Sequence, residues 1–409
     1  MQFAGLILGI LSLIQLWTAA CRGRYRERRI PTSGKGDQRH CRPRLIELAD
    51  SEGNSRTWSG PRSFVVRRRV EEADQVLSLY LEPQDGKPLP SFAAGQFIGV
   101  AVNIPGQPSP VKRCYSLSNA PHSRYYRITV KRVSGGLVSG FIHDQLLVGG
   151  IVQVHAPAGQ FVLTEESSRE LVLIAGGIGV TPFLSMLEVL AKFPGRRATL
   201  FYSVRNGRDR IQRDSLEELM ARAPWLRIVT IYTQPEDTDI LGLDYNDSTR
   251  LTAEAIRNVV PELDAEFYLC GSVAMTTSLV NQLRDAGVSE EWIHVEGFGG
   301  PPQPRKAIRE EKRQGDTSAP EPIAAAPKIT FSKSGTTVTC DQPAASILEV
   351  AEQHGIELES MCRSGNCGAC RLALLSGRVA GCVGQMGAVD GDSCLPCVAR
   401  PVTDIVLHA

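Results

Sequence analysis

At 409 residues, with 42% hydrophobic and 22% charged side chains, the chain is too long for one ordinary core and too apolar for wholesale disorder. Its formal net charge of +1 lacks the basic excess that phosphate-backbone binding needs, which argues against a nucleic-acid partner. Of 11 cysteines, six fall between Cys362 and Cys397. Such end-clustering speaks against a secreted disulfide scaffold and for metal or cluster ligation in a compartment that keeps thiols reduced.

The chain opens on an apolar run, Phe3 to Ala20, in which Gln15 alone is strongly polar, and which is just long enough to span a bilayer as a helix. Arg22, Arg24, Arg26, Arg28 and Arg29 follow at once. A secretory signal carries its charge before the apolar run, and charge after it favours keeping the following domains on the cytoplasmic side. Residues 1–21 are therefore expected to be a membrane anchor facing the cytoplasm. The rival readings are a cleaved signal, a lipoprotein site at Cys21 and a misassigned start. Thr18, three before Cys21, is not the leucine-like residue a lipoprotein site prefers. Residues 22–61 are polar, basic and without periodicity, as in a juxtamembrane tether.

From 62 to 163 the pattern is all-β. VLSLYLEP, QFIGVAVNI, YRITVKRV and IVQVHAP run apolar or alternate at strand length between turn residues, predicting a small barrel. From 164 to 298 strand and helix alternate, beginning with LVLIAGG and TPFLSMLEVLAKF and ending with EFYLCG and VAMTTSLVNQLRDAG. That alternation predicts a doubly wound α/β domain on a parallel sheet. Residues 299–327, rich in Pro, Ala and charge, read as a linker. The last segment, 328–409, has a hairpin, one helix, a cysteine loop and a final strand, an α+β pattern small enough to profit from a bound cluster.

The cysteine loop MCRSGNCGACRLALLSG places Cys362, Cys367 and Cys370 in C-x4-C-x2-C spacing. Three thiolates on one loop, with a fourth from elsewhere, can surround two irons, and Ser364, Gly365, Gly368 and Ala369 let backbone N–H groups approach the sulfides. The competing reading is zinc held by two C-x2-C pairs, Cys367–Cys370 and Cys394–Cys397, which leaves Cys362 unexplained. The segment closely resembles the plant-type ferredoxin domain, a β-grasp fold carrying a [2Fe-2S] cluster. That resemblance implies Cys397, in CLPCVARP, as the fourth ligand, with Cys394 and then Cys382 as competitors.

KRCYSLSNAP carries Arg113, Tyr115 and Ser116, and resembles the R-x-Y-S motif of the ferredoxin–NADP reductase superfamily. Arginine offers a planar fork to a phosphate, a tyrosine ring can cover an isoalloxazine face, and a serine hydroxyl can bond near flavin N5. Further on, Gly136, Leu137, Val138 and Ser139 form a G-x-x-S. In that superfamily this motif opens a helix whose amides hold the FAD pyrophosphate. The resemblance implies FAD rather than FMN, whose reductases of the phthalate dioxygenase type carry a different Gly-Gly-Ser arrangement.

LVLIAGGIGVTPFLSML sets Gly177, Gly179, Val180, Thr181 and Pro182 between a buried strand and a helix, a loop that lets backbone approach a nicotinamide dinucleotide. AGGIGVTP matches the same superfamily. Cys270 and Gly271 stand at the C-terminal edge of a strand, where ligands sit in open α/β sheets; taken alone, Cys270 reads as a core thiol. The resemblance puts Cys270 beside nicotinamide C4, makes Ser116, Cys270 and Glu296 the catalytic group, and sets Phe298 against the flavin. After ATLFYSV stand Ser203, Arg205, Arg208 and Arg210. Arginines there could bind the 2′-phosphate of NADPH, yet NADH-using relatives also carry one, and NADH is the expected donor, with Arg205 a binding residue.

The stretch from about Arg62 to Ala409 resembles reductases with the order flavin, nucleotide and ferredoxin domains. Its middle resembles the reductase part of flavohaemoglobins, and its layout that of NADH reductases of hybrid-cluster proteins, oxygenases, hydroxylases and desaturases. This implies an NAD(P)H-dependent iron–sulfur flavoprotein that passes electrons to a partner oxygenase, desaturase or hybrid-cluster protein. The alternatives are a reductase handling oxygen or nitric oxide without a protein acceptor, and a non-enzymatic membrane redox sensor.

Overall fold

The computed structural model describes residues 58, 60–164, 167–192, 195–298, 326–342, 345–361, 363, 365, 368–380 and 392–409. The expected anchor and most of the tether and linker lie outside the described residues, as do Cys362, Cys367 and Cys382. Among the described residues no helix is long and apolar enough to cross a membrane.

Strands β1 (Arg62–Ala73), β2 (Val76–Pro83), β3 (Phe97–Val102), β4 (Val111–Ser116), β5 (Tyr126–Lys131) and β6 (Ile151–Ala158) form one antiparallel sheet in the order β4-β3-β6-β1-β2-β5. A bridge between Leu117 and Ile128 joins its two ends into a barrel. Alternate strand residues such as Leu77, Leu79, Ile98, Val100 and Ile128 point inward, and helix α1 (Leu137–Asp144) adds Val138 and Ile142 to the same core.

The second sheet contains β7 (Glu170–Gly176), β8 (Ala198–Val204), β9 (Leu226–Tyr232), β10 (Ala265–Ser272) and β11 (Ile293–Phe298), all parallel, in the order β11-β10-β7-β8-β9. Helices α2 (Thr181–Lys192), α3 (Arg213–Arg222), α4 (Ala253–Arg257) and α5 (Val273–Asp285) cover it. The two-residue period of β7 divides its side chains cleanly. Leu171, Leu173 and Ala175 pack with Phe183, Leu187 and Leu190 of α2, while Val172 and Ile174 face Leu279 and Leu283 of α5. Strand order reverses between β7 and β10, so a crevice opens at their carboxyl ends.

The remaining strands are β12 (Lys328–Phe331), β13 (Thr336–Thr339), β14 (Leu372–Ser376), β15 (Val379–Ala380), β16 (Ser393–Cys394), β17 (Arg400–Pro401) and β18 (Ile405–Leu407), with helix α6 (Ile347–Gln353). Five of them form a mixed sheet of order β13-β12-β18-β14-β16. A capping box starts α6: Ser346 accepts from the Glu349 backbone N–H, and the Glu349 carboxylate accepts in return from that of Ser346. The apolar face of α6 (Ile347, Val350, Ala351) packs on Ile329, Phe331, Ile405 and Leu407.

Where the chain leaves the barrel for the parallel sheet, a buried carboxylate fastens the joint. Glu266 of β10, fully buried, accepts from the Thr164 hydroxyl (2.6 Å), the Tyr268 hydroxyl (2.8 Å), His294 Nε2 (3.0 Å) and Arg196 (2.7 Å). Burial alone would raise its pKa; the bonds from His294, Thr164, Arg196 and Tyr268 outweigh burial and hold the carboxyl well below its usual range. A depressed pKa contributes stability above the unfolded value of about 4.3 and loses it as pH falls through the folded one. Glu266→Ala is therefore expected to cost about 3–5 kcal/mol in chemical unfolding at neutral pH, because it deprives the largely buried Arg196 of its carboxylate and leaves Tyr268 and Thr164 without their acceptor. The gap from wild type should narrow in acid.

Candidate functional site

Three sets of residues converge on the carboxyl edge of the parallel sheet where it faces the barrel. The first comes from β4. Arg113 is exposed, its guanidinium donating to the Lys112 carbonyl at 2.7 Å. Tyr115 packs against the barrel core, and burial pushes its phenol pKa up, so it stays a neutral ring and hydroxyl. Ser116, at the strand's end, is buried.

The G-x-x-S turn lies beside this strand, since α1 packs against β4. Gly136 is the N-cap of α1 and gives no side-chain cap, leaving first-turn amides available to an anion. A Cβ at Gly136 would meet Ser139 Oγ at 2.6 Å and Val133 Cβ at 2.9 Å, so the tight turn requires glycine. Ser139 Oγ accepts from the Val133 amide at 3.1 Å, locking that turn rather than pointing away. An exposed arginine fork beside an uncapped helix start suits the pyrophosphate of a flavin dinucleotide.

The second set surrounds the crevice between β7 and β10. Gly177 adopts φ +55, and the chain then passes through a short 3-10 turn, Gly177–Val180, into α2. Gly179 lies flat on the next strand: a Cβ there would overlap the Cys270 carbonyl and reach the Gly271 amide at 2.8 Å. Thr181 Oγ1 donates to the Ile178 carbonyl at 3.0 Å, and Pro182 occupies the first helical turn, where its missing N–H costs nothing. Cys270 is fully buried; burial first, and then the charge of Glu296, push its thiol pKa well above the usual range. It is therefore a neutral, compact wall of the crevice.

The third set joins the other two. Glu296 stands opposite Cys270 in the β10–β11 register, and Ser116 Oγ lies 3.5 Å from Glu296 Oε2, across 180 residues of sequence. Both are buried. Glu188 of α2 reinforces the approach by accepting from the Ala120 amide (2.8 Å) and from Arg127 (2.8 Å), both on the barrel. Ser116 thus approaches Glu296, which stands opposite Cys270 in register. Phe298 ends β11 opposite Ser272, and its side chain lies outside the described residues.

Arg205 lies at the rim of the crevice, just past β8, and is engaged by carboxylates that the sequence reading did not single out. Asp209 takes its guanidinium in two bonds, 2.5 and 2.9 Å, and is also approached by Lys131 of the barrel at 3.5 Å. Arg208 pairs with Glu236 at 2.9 Å, and the buried Arg210 with Glu217 at 3.2 Å. The four-residue step from Arg205 to Asp209 was the one available signal.

In the last domain, Cys370 Sγ and Cys397 Sγ are 3.3 Å apart and buried among Leu348, Leu395 and Val398. Two thiolates on one tetrahedral metal with bonds of about 2.3 Å sit about 3.8 Å apart, so this pair suits a shared iron. Cys394 packs instead in the main core with Ile329, Phe331 and Leu407.

Comparison with known proteins identifies two of the domains. Residues 173–281 match the family model described as an oxidoreductase NAD-binding domain, and residues 329–402 match that of a 2Fe-2S iron-sulfur cluster binding domain. A flavohemoprotein of Bacillus cereus is 38% identical over 259 residues, covering 62% of this chain and 64% of the relative, so the chain spans under two thirds of that relative's length. The flavohem-like FAD/NAD binding domain of nitric oxide dioxygenase from Vibrio cholerae is 34% identical with a TM-score of 0.53, covering 58% of this chain and 99% of that one. Phthalate dioxygenase reductase, described as a modular structure for electron transfer from pyridine nucleotides to [2Fe-2S], is 28% identical with a TM-score of 0.54, covering 86% of this chain and 98% of that one.

Proposed function

The chain belongs to the ferredoxin–NADP reductase superfamily, extended by a plant-type [2Fe-2S] ferredoxin domain, and we propose that it carries electrons from NADH through FAD and the cluster to a separate acceptor protein. The observation that carries this reading is the meeting of Ser116 on the barrel with Glu296 and Cys270 on the nucleotide sheet, which brings the two binding motifs to one crevice. When bound, the flavin converts a two-electron hydride donor into single electrons, and the cluster carries them onward one at a time.

The protein's part is placement. Arg113 and the start of α1 hold the flavin's phosphates, and Tyr115 lies against its ring system. Gly177 and Gly179 leave room for the dinucleotide, and Cys270 sets the depth to which its nicotinamide end enters. Ser116 and Glu296 supply a hydroxyl and a carboxylate at the reacting edge, able to hold and pass a proton there. Cys362, Cys367, Cys370 and Cys397 are the proposed cluster ligands. Domain limits at 62–163, 164–298 and 328–409 follow from this division of labour.

NADH is the proposed donor because each arginine at the ribose end already has a carboxylate partner. A 2′-phosphate would have to displace Asp209 or Glu236. Asp209→Asn is expected to raise the kcat/KM ratio of NADPH over NADH by about threefold, a modest gain because Arg205 is largely solvent-screened.

A ferredoxin domain favours a protein acceptor of the oxygenase, desaturase or hybrid-cluster kind over reduction of oxygen or nitric oxide at the flavin. The proposed anchor at residues 3–20, facing the cytoplasm, rests on sequence alone. A variant lacking residues 1–60 that stays in the membrane fraction would count against it. The central test mixes the loaded protein with NADH anaerobically. Bleaching of the flavin bands followed by partial loss of the iron–sulfide absorption is expected, and a cluster that stays oxidised would overturn the proposal.

A further inference from the structure

Gly99 lies in the middle of β3, opposite Cys114 of β4 and His155 of β6. Its φ is not among the left-handed values, so the backbone does not demand glycine. The close approach does: a Cβ there would meet Met361 Sδ at 2.6 Å, Cγ at 3.1 Å and Cε at 3.2 Å. The thioether of Met361 thus fills the notch left by the missing side chain. An electrostatic influence from the same segment accompanies it. Burial and the charge of Lys112 hold the His155 pKa below its usual range, while Glu359, two residues before Met361, stands near enough to oppose them.

The placement links the two redox motifs. Gly99 neighbours the strand that carries Arg113, Tyr115 and Ser116, and Met361 immediately precedes Cys362. The chain between the nucleotide and ferredoxin domains is rich in Pro, Ala and charge and offers few large apolar groups that could orient one against the other. Unbranched and polarisable, methionine suits an irregular gap of this kind.

We propose that Met361, seated in the Gly99 notch, is a positioning residue that docks the ferredoxin domain on the flavin barrel and so sets the rate of electron passage from flavin to cluster. The inference rests on the proposed relay. NADH yields NAD+, one proton and two electrons; the cluster takes one electron at a time, so the second follows once the acceptor protein has reoxidised it.

The test uses the full-length, cofactor-loaded protein in anaerobic stopped flow with NADH. In Met361→Ala the flavin-bleaching phase and NADH–ferricyanide activity should match wild type. Cluster reduction should slow by about tenfold, the population shift expected for loss of one partly buried methionine contact. Met361→Leu should restore most of the rate, since shape rather than sulfur chemistry is at issue. Because Met361 adjoins a cluster ligand, Gly99→Ala, made on the barrel, serves as the second variant and should slow the same phase by crowding Met361 out. Unchanged cluster reduction in both variants, with wild type active, overturns the docking role and leaves the relay standing. Absence of NADH-driven cluster reduction in wild type overturns both.

Discussion

Cys397→Ser is expected to abolish reduction of one-electron protein acceptors while leaving NADH–ferricyanide activity near wild type. Cys397 Sγ stands 3.3 Å from Cys370 Sγ in a small apolar pocket, so its loss removes one of a close pair of thiolates. Removal of an outer-shell partner already costs roughly 10–100-fold in metal affinity or activity, and loss of a direct ligand should cost more. Iron and sulfide content, with the visible spectrum, provide the check. Cys394→Ser is the comparison: Cys394 packs in the hydrophobic core with Ile329, Phe331 and Leu407, so on the proposed assignment the variant should lose some stability and keep its cluster. A cluster retained in Cys397→Ser and lost in Cys394→Ser would reverse the ligand assignment.

Gly179→Ala is expected to lower NADH-driven flavin reduction by about 100-fold, the penalty that a misplacement of about 1 Å can carry. The new methyl group would press on the Cys270 carbonyl and the Gly271 amide, which are backbone and cannot rotate away. Either the turn before α2 lifts from the sheet or β10 shifts, and both disturb the crevice in which the nicotinamide end would lie. Overpacking of this sort costs typically 1–3 kcal/mol in stability as well. Flavin and cluster should still be reduced by dithionite, which needs no nucleotide site. Normal NADH kinetics in a folded Gly179→Ala protein would contradict a role for this close approach in nucleotide entry.

Much of this was legible in sequence because it is local. The run VLSLYLEP coincides with β2, ATLFYSV with β8, and the G-x-x-S with the start of α1. Period-two and period-3.6 patterns survive wherever one face is buried. β1 was harder to see: RSFVVRRRVEEA contains more charge than apolar surface, since only Phe64 and Val66 are fully buried and a register shift follows Val66. In the site, each motif is a short string that can be read alone, whereas the Ser116–Glu296 approach depends on how a barrel packs on a sheet. The carboxylates on the ribose-end arginines were equally hidden, because Glu236 comes from beyond β9 and Glu217 from α3. Met361 gave no signal beyond its place next to Cys362.

The buried thiol of Cys270 bears on how the protein ages. Alkylating agents and peroxides react with the thiolate, and a sulfhydryl held protonated and shut away from solvent offers them almost none. In the proposed relay, oxygen that intercepts a single electron becomes superoxide, which dismutates to peroxide, so the by-product is the hazard closest at hand. With sulfur at that wall of the crevice kept chemically silent, oxidative wear should begin elsewhere in the molecule and reach hydride entry last.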